Sequence, residues 1–157
     1  MNYLVHSLSE MLRVQTAKAF ADDLELFHLD LNDLVNKNPL SLTQTGAIDV
    51  LEHYAASKKT ILEQFSNFKN TVFTVSGYGF LDESNLKHIK EHAKIIFLKT
   101  DYKTYLEFYK GSPNKKLQKL SFDTNTLFFE SFSDMIVKVK TNNINKILKE
   151  IKKLLIS

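Results

Sequence analysis

The sequence predicts an α/β fold in which a parallel β-sheet carries helices on both faces. Short apolar segments of strand length alternate with longer segments whose apolar residues recur at helical spacing. This alternation is typical of right-handed βαβ units, which build a parallel sheet covered on both sides. With 157 residues the chain has the length of one domain, and a domain of that size buries a core without disulfide bonds.

Each predicted strand is a short apolar run with turn or cap residues beside it. In chain order the strands are Asn2–His6, Leu26–Asp30, Thr71–Val75, Lys94–Leu98 and Met135–Val139. The predicted helices follow where apolar residues recur every three or four positions. They are Ser9–Asp23, Leu31–Asn36, Ala47–Tyr54, Ser57–Phe68, Glu83–Glu91, Tyr102–Lys110, Leu117–Phe132 and Asn143–Leu155.

The last predicted helix has a pronounced apolar stripe. Its apolar side is formed by Ile144, Ile147, Leu148, Ile151, Leu154 and Leu155. Lysines 146, 149 and 153 lie largely on the opposite side. A stripe of this kind predicts a helix that packs on the core rather than one that presents a partner-binding surface.

Composition excludes several classes of protein. The net charge of +3 is small and its basic residues are scattered, whereas nucleic-acid binding proteins concentrate positive charge on one face. No segment reaches the ~18 apolar residues of a membrane span, and the amino terminus has neither a basic region nor a long apolar region of a signal peptide. The absence of cysteine suits a reducing compartment. We therefore expect a cytoplasmic protein that binds neither nucleic acid nor membrane.

The first strand-to-helix connection is unusual for an α/β protein. It reads His6-Ser7-Leu8-Ser9-Glu10-Met11 and contains neither glycine nor lysine. Ser7 and Glu10 have the spacing of a capping box, with Ser7 as the N-cap and Glu10 reaching back to it. The pattern predicts that the protein's own side chains occupy the free amides of the first helix, and that Glu10 repels an incoming phosphate there.

The segment TVSGYGFLDESNLKHIKEHAKIIFLK, which begins at Thr74, resembles the shikimate kinase family. The family has a strand that ends in a Gly-Gly-Gly turn, then an Asn-Leu helix, then a strand of the form apolar-x-Leu-Lys. Here these parts read Ser76–Gly79, Ser84–Leu86 and Ile96–Lys99. Upstream, Asp30 and Asn32 stand in the two places of the family's Asp-x-Asp strand end. The resemblance covers nearly the whole chain.

The resemblance implies a fold and a set of candidate residues. The fold is a three-layer α/β structure of the P-loop kinase type, with a five-stranded parallel sheet in the order 2-3-1-4-5 and a single domain over residues 1–157. Remnant ligand-binding positions would be Asp30, Asn32, Gly77 and Gly79. A lid would contain Lys110, Lys115 and Lys116, which surround the loop at Gly111–Asn114.

The family's catalytic residues do not appear in this sequence. The phosphate-binding motif Gly-x-x-x-x-Gly-Lys-Ser/Thr is replaced by the connection that contains Ser7, Ser9 and Glu10, which is about four residues too short. The family's substrate-binding arginines are also missing, since Arg13 is the one arginine among 21 basic residues. We therefore expect an inactive relative, a pseudokinase with no catalytic residues and no cofactor, for which ATP and magnesium are not ligands.

Such a relative would act by binding a protein partner or a small molecule of unknown identity. Two alternatives stay open: a small-molecule enzyme that uses a pocket near Asp30, Gly77 and Gly79, and a kinase with a rearranged site that keeps shikimate kinase activity. His88 and His92 have the spacing of a two-histidine metal site, but no zincin glutamate or third ligand is evident, so we expect a solvated helix face and no metal. His6, at the end of the first strand, is expected to be structural.

Overall fold

The computed structural model describes residues 1–31, 59–75, 82–108 and 115–156, with the backbone alone for residues 115–117. Its strands are β1 (Tyr3–His6), β2 (Phe27–Asp30), β3 (Thr71–Thr74), β4 (Lys94–Thr100) and β5 (Met135–Val139). Its helices are α1 (Glu10–Asp23), α2 (59–67), α3 (Glu83–Lys90), α4 (Tyr102–Phe108), α5 (Lys115–Phe132) and α6 (Ile144–Ile156). No helix of these ranges is both long and apolar enough to cross a bilayer.

The five strands form one parallel sheet in the order β2-β3-β1-β4-β5. β1 is central, because Tyr3 pairs with Val72 of β3 on one side and with Lys94 of β4 on the other. The predicted fold class and strand order are confirmed. β4 extends to Thr100, two residues beyond the predicted end, because Lys99 and Thr100 pair with Lys138 and Val139 of β5.

Alternate residues of the central strand point into two separate cores. Leu4 belongs to a core on one face, with Phe73 and Phe97 beside it. Val5 belongs to a core on the other face, together with α1 residues such as Phe20. Both faces of the central strands are therefore buried, as a parallel sheet covered by helices requires. β5 lies at an edge, and its residues alternate between buried and exposed.

The described helices begin and end within a few residues of the predicted bounds. α6 covers Ile144–Ile156 and buries Ile147, Leu148 and Ile151, which confirms that its apolar stripe is a core contact. α5 begins at Lys115 rather than at Leu117. The predicted helices Leu31–Asn36 and Ala47–Tyr54 lie outside the described residues, apart from Leu31 itself.

Candidate functional site

The connection between β1 and α1 lies at the carboxyl end of the central strand. β1 ends at His6 and α1 begins at Glu10, so the connection consists of Ser7, Leu8 and Ser9. In open α/β sheets, ligands bind outside the carboxyl ends of the strands, where helix amino termini point their free N–H groups at the ligand. This end of the sheet is therefore where a binding site of this fold is expected.

The two serines of the connection bind backbone amides of the same segment. The Ser9 side chain is the N-cap of α1, and its Oγ accepts a hydrogen bond from the Leu12 N–H at 3.3 Å. The Ser7 Oγ accepts a hydrogen bond from the Ser9 N–H at 3.2 Å. Both serines are buried. Two amides that could face an anion are thus engaged by hydroxyl groups of the chain itself.

The prediction that Ser7 and Glu10 form a capping box is wrong. Ser9, not Ser7, caps the helix, because Ser9 is the last extended residue, with φ −93° and ψ 120°. Glu10 is the first residue of α1 and is exposed, so it does not reach back as the third helical residue of a capping box does. Its carboxylate still lies in the first turn, where negative charge is favourable to the helix and unfavourable to a bound anion.

Arg13 fills the space behind the connection. Its side chain is only 4% exposed, and its Nη1 donates a hydrogen bond to the Ser7 carbonyl oxygen at 3.3 Å. No partner for its Nε lies within the described residues. Burial lowers the pKa of Arg13, and the negative charges of Glu10 and Asp30 act in the opposite direction. Since an arginine stays protonated in proteins, a fixed positive charge lies directly under the turn.

His6 lies beside this charge at the end of β1. It is 2% exposed, and its ring centroid is 4.2 Å from that of Phe129. Neither ring nitrogen has a hydrogen-bond partner within the described part of the chain. Burial, together with the neighbouring Arg13, lowers the pKa of His6 to about 3. The imidazole is therefore neutral at physiological pH and packs as an aromatic side chain.

The other predicted site residues are placed only in part. Asp30 ends β2 opposite Thr74 of β3, at the same edge of the sheet as the β1–α1 connection, and its charge reaches Arg13. Asn32, Gly77, Gly79 and Lys110 lie outside the described residues. Lys115 and Lys116 are the first residues of α5, so they belong to a helix, and their role in a lid stays a prediction.

Sequence reasoning missed the position of Arg13. In the sequence Arg13 is the one arginine of the chain, and in the structure it contacts the first turn. A signal was present, because Arg13, Thr16, Ala17 and Phe20 have the spacing of one helix face and all four are buried. A lone arginine in an apolar face, one turn from the helix start, indicates an internal partner at that turn.

A basic groove lies between the edge strand β5 and helix α6. It encloses about 430 Å³, and we define it by the lysines that line it, Lys138, Lys140, Lys146 and Lys149. Glu150 is the one acidic residue of the lining. The ion pairs found within the described part of the chain involve none of these four lysines. Glu150 and Asp101, on which the charge of Lys140 acts, offset part of this charge, and the lining keeps a net positive charge that suits an anionic ligand.

Sheet order and helix placement define the class of protein. Five parallel strands in the order β2-β3-β1-β4-β5, with helices on both faces, form the architecture of the P-loop kinases. A family model described as shikimate kinase matches residues 15–155, and the chain therefore belongs to the shikimate kinase family. The match begins within α1, after the β1–α1 connection. A search of curated proteins finds no match.

Solved structures agree with this fold. The shikimate kinase of Aquifex aeolicus has a TM-score of 0.75 at 18% identity, with 99% of this chain and 96% of that chain covered. The enzyme of Bacteroides thetaiotaomicron has a TM-score of 0.74 at 15% identity, with 100% and 99% covered. The enzyme of Acinetobacter baumannii, solved in complex with shikimate, has a TM-score of 0.74 at 14% identity, with 99% and 92% covered. At such identities the similarity shows the fold alone.

Proposed function

We propose that this chain is a catalytically inactive member of the shikimate kinase family, which acts in the cytoplasm by binding another molecule rather than by transferring phosphate. The observation that carries the proposal is the three-residue connection between β1 and α1, where the hydroxyl groups of Ser7 and Ser9 bind the N–H groups of Ser9 and Leu12. A Walker loop places about eight residues at this position, and their backbone N–H groups surround the phosphates.

The residues at this turn do not fit magnesium and a nucleoside triphosphate. A P-loop offers a lysine to the phosphates and a hydroxyl to the metal. Among the described residues, the positively charged side chain at this turn is that of Arg13. It is buried and donates a hydrogen bond to the Ser7 carbonyl oxygen. The hydroxyl groups of Ser7 and Ser9 accept hydrogen bonds from backbone amides. A triphosphate would have to displace these contacts and also approach the carboxylate of Glu10.

Magnitudes support the loss of phosphoryl transfer. A hydrogen bond to a charged group contributes about 1.5–3 kcal/mol, and an arginine that stabilises the transferring phosphoryl group contributes about 10³–10⁵ in rate. The sequence contains one arginine, and the structure buries it under the turn. Lysines can replace a single charge, but they lack the paired donors with which a guanidinium binds phosphate or carboxylate.

The basic groove is the surface through which binding is proposed to occur. Its volume of about 430 Å³ falls within the range of small-molecule sites, about 300–1,000 Å³. Its four lysines favour a ligand or peptide that carries carboxylate or phosphate groups. In the described part of the sheet no strand pairs with the outer side of β5, and an extended acidic segment would be able to pair there.

Calorimetry with magnesium and ATP, and separately with shikimate, tests the loss of kinase function. We expect no binding at millimolar ligand and no ADP release in a coupled assay. Submillimolar binding of ATP together with turnover contradicts the proposal. Binding of shikimate without ATP binding would instead favour a remnant substrate pocket near Asp30.

Affinity capture from cells, followed by mass spectrometry, tests the binding role. A stoichiometric acidic protein that is retained by the wild type and lost in the double variant Lys146→Glu/Lys149→Glu supports the groove. Lys153→Glu is a matched control, because Lys153 is exposed on the same helix and does not line the groove. If a metabolite is retained and no protein partner is found, the result favours the alternative hypothesis that the chain is a small-molecule enzyme.

A further inference from the structure

Two histidines and a glutamate meet where helix α3 ends. His88, Glu91 and His92 each offer one ligand atom, and these atoms all lie within 4.8 Å of one another. The ring centroids of His88 and His92 are 5.1 Å apart. We name these three residues the histidine cluster. In the sequence His-x-x-Glu-His the two histidines are four residues apart, the spacing at which two histidines of helical zinc motifs bind the metal.

Local folding keeps the three side chains on one side of the chain. α3 ends at Lys90, but Glu91 keeps right-handed helical angles, with φ −70° and ψ −21°. The Glu91 N–H donates to the His88 carbonyl at 3.2 Å, and the His92 N–H donates to the Ile89 carbonyl at 2.9 Å. The helical path therefore continues for part of a turn, and residues three and four apart stay neighbours. Ile89 is fully buried and fixes the helix in this orientation.

One imidazole of the cluster lacks a hydrogen-bond partner. The Nε2 of His88 is buried and, within the described residues, has no partner. A buried polar atom without a partner costs about 1–3 kcal/mol, so such an atom needs an explanation. A cation bound by this nitrogen would supply one, because neutral imidazole nitrogens are the commonest metal ligands in proteins.

The neighbouring charges do not oppose a cation as strongly as the sequence suggests. Lys87 pairs with Glu83 at 3.3 Å, and Lys90 pairs with Asp134 at 3.6 Å. Glu91, by contrast, forms no ion pair among the described residues. The two flanking lysines are thus partly neutralised, whereas the carboxylate of the cluster stays available to a metal ion.

We propose that His88, Glu91 and His92 bind a zinc ion, with water completing its coordination shell. Two imidazole nitrogens and one carboxylate oxygen are a donor set that zinc prefers, at about 2.0–2.2 Å from the metal. In a tetrahedral site such ligand atoms lie roughly 3.3 Å apart. The present separations, which are at most 4.8 Å, must shorten to that value when the ion binds, and Glu91 and His92 are the exposed side chains of the cluster. This expectation replaces the sequence-based view of the cluster as a solvated face.

The histidine cluster lies near the amino-terminal ends of the strands, whereas the β1–α1 connection lies at their carboxyl-terminal ends. Each crossover helix of a parallel sheet runs back from the carboxyl end of one strand to the amino end of the next, and α3 leads into the start of β4 at Lys94. The zinc site is therefore independent of the proposed loss of kinase function. A bound ion would join the end of α3 to the turn before β4.

Calorimetric titration of the full chain with zinc chloride, on protein that carries no histidine tag, tests this site. We expect one equivalent of zinc to bind and the melting temperature to rise, because the ion binds the folded state. Cobalt(II) provides a second probe, whose visible absorption reports the ligand geometry. Affinity should fall as the pH drops through the range in which imidazole is protonated.

Ligand variants decide the outcome. His92→Gln and the double variant His88→Gln/His92→Gln should weaken zinc binding by more than about 100-fold, since even loss of a second-shell partner costs 10–100-fold. Glu91→Gln should weaken it about tenfold or more. His28→Gln is the control, because His28 lies on β2 away from the cluster, and it should bind zinc as the wild type does. Absence of binding, or equal affinity in the His88→Gln/His92→Gln variant, overturns the proposal.

Discussion

The guanidinium of Arg13 is an internal partner for a turn that elsewhere in this fold faces a ligand. It donates to the Ser7 carbonyl and lies within reach of the charges of Glu10 and Asp30. A buried charge is costly unless hydrogen bonds and opposite charges offset it, and here the Ser7 carbonyl and the two carboxylates offset part of that cost. Arg13 therefore has a structural role in the turn, although arginine is the residue type best suited to binding carboxylate and phosphate groups.

Replacing Arg13 should therefore cost stability. We expect Arg13→Ala to lower the free energy of unfolding by about 2–4 kcal/mol, because the variant loses a charged hydrogen bond, leaves a cavity and removes the partner of a carboxylate. Urea denaturation measures the change. Lys18→Ala, an exposed change on the same helix, should stay within about 0.5 kcal/mol. A loss of similar size in both variants would show that Arg13 is not an internal partner.

His6 should make stability depend on pH. Its pKa is lowered from 6.5 to about 3 by burial, so the unfolded chain binds a proton between these values and the native state does not. Stability from this residue is fully present above pH 6.5 and falls by about 1.4 kcal/mol per unit as the pH drops toward 3.

The measurement is denaturant unfolding at pH 7 and pH 4.5. His6→Phe should lose about 2–3 kcal/mol less than the wild type between these two conditions. His92→Gln, in the presence of a chelator, is the control, because His92 is exposed and its replacement leaves the buried imidazole of His6 in place. Equal losses for the wild type and His6→Phe would mean that the imidazole is protonated in the folded protein.

At the scale of the element, the residue at which α1 begins depends on the packing of neighbouring residues against opposite faces of the sheet. Leu8 packs against the core on the face of Leu4, whereas α1 packs on the opposite face through Leu12 and Phe20. A helix that began after Ser7 would turn Leu8 away from its core. The chain therefore bends through Leu8 and enters the helix only after Ser9, and the local capping-box pattern could not reveal this because it contains no information about the sheet.

Side-chain substitutions at the start of α1 test this boundary. Ser9→Ala should destabilise the protein by about 1 kcal/mol, the usual cost of a lost N-cap. Glu10→Ala should cost less, because it removes only a charge from an exposed first turn. Thermal melting curves of the two variants distinguish the cases. A larger effect of Glu10→Ala would restore the capping box that the sequence suggested.

The apolar stripe of α6 is a second element whose contribution can be measured. Ile151 is fully buried in the core that α6 shares with α1, whereas Ile156 on the same helix is 87% exposed. Ile151→Ala should lower the free energy of unfolding by about 2–5 kcal/mol, and Ile156→Ala should change it by less than about 0.5 kcal/mol. Chemical denaturation of the pair provides the comparison. Similar effects would mean that the stripe is not a core contact.

At the scale of the whole molecule, the sheet was predictable because each strand is marked by the composition of a short continuous segment. Strands such as Met135–Val139 are short apolar runs between turn residues, and the strand order followed from resemblance to a family that shares this order. The candidate site was less predictable. Its cap depends on the packing of Leu8 and α1 against opposite faces of the sheet, which spacing along the chain does not encode. The burial of Arg13, by contrast, follows from helical spacing within α1.

The central position of β1 has a consequence for the order in which the protein is made. β1 pairs with β3 and β4, and β2 pairs with β3, so none of the described ladders can form before residues 71–74 have been synthesised. The nascent chain must therefore hold its central strand unpaired while it emerges from the ribosome. Apolar segments exposed for that long are natural targets for chaperones.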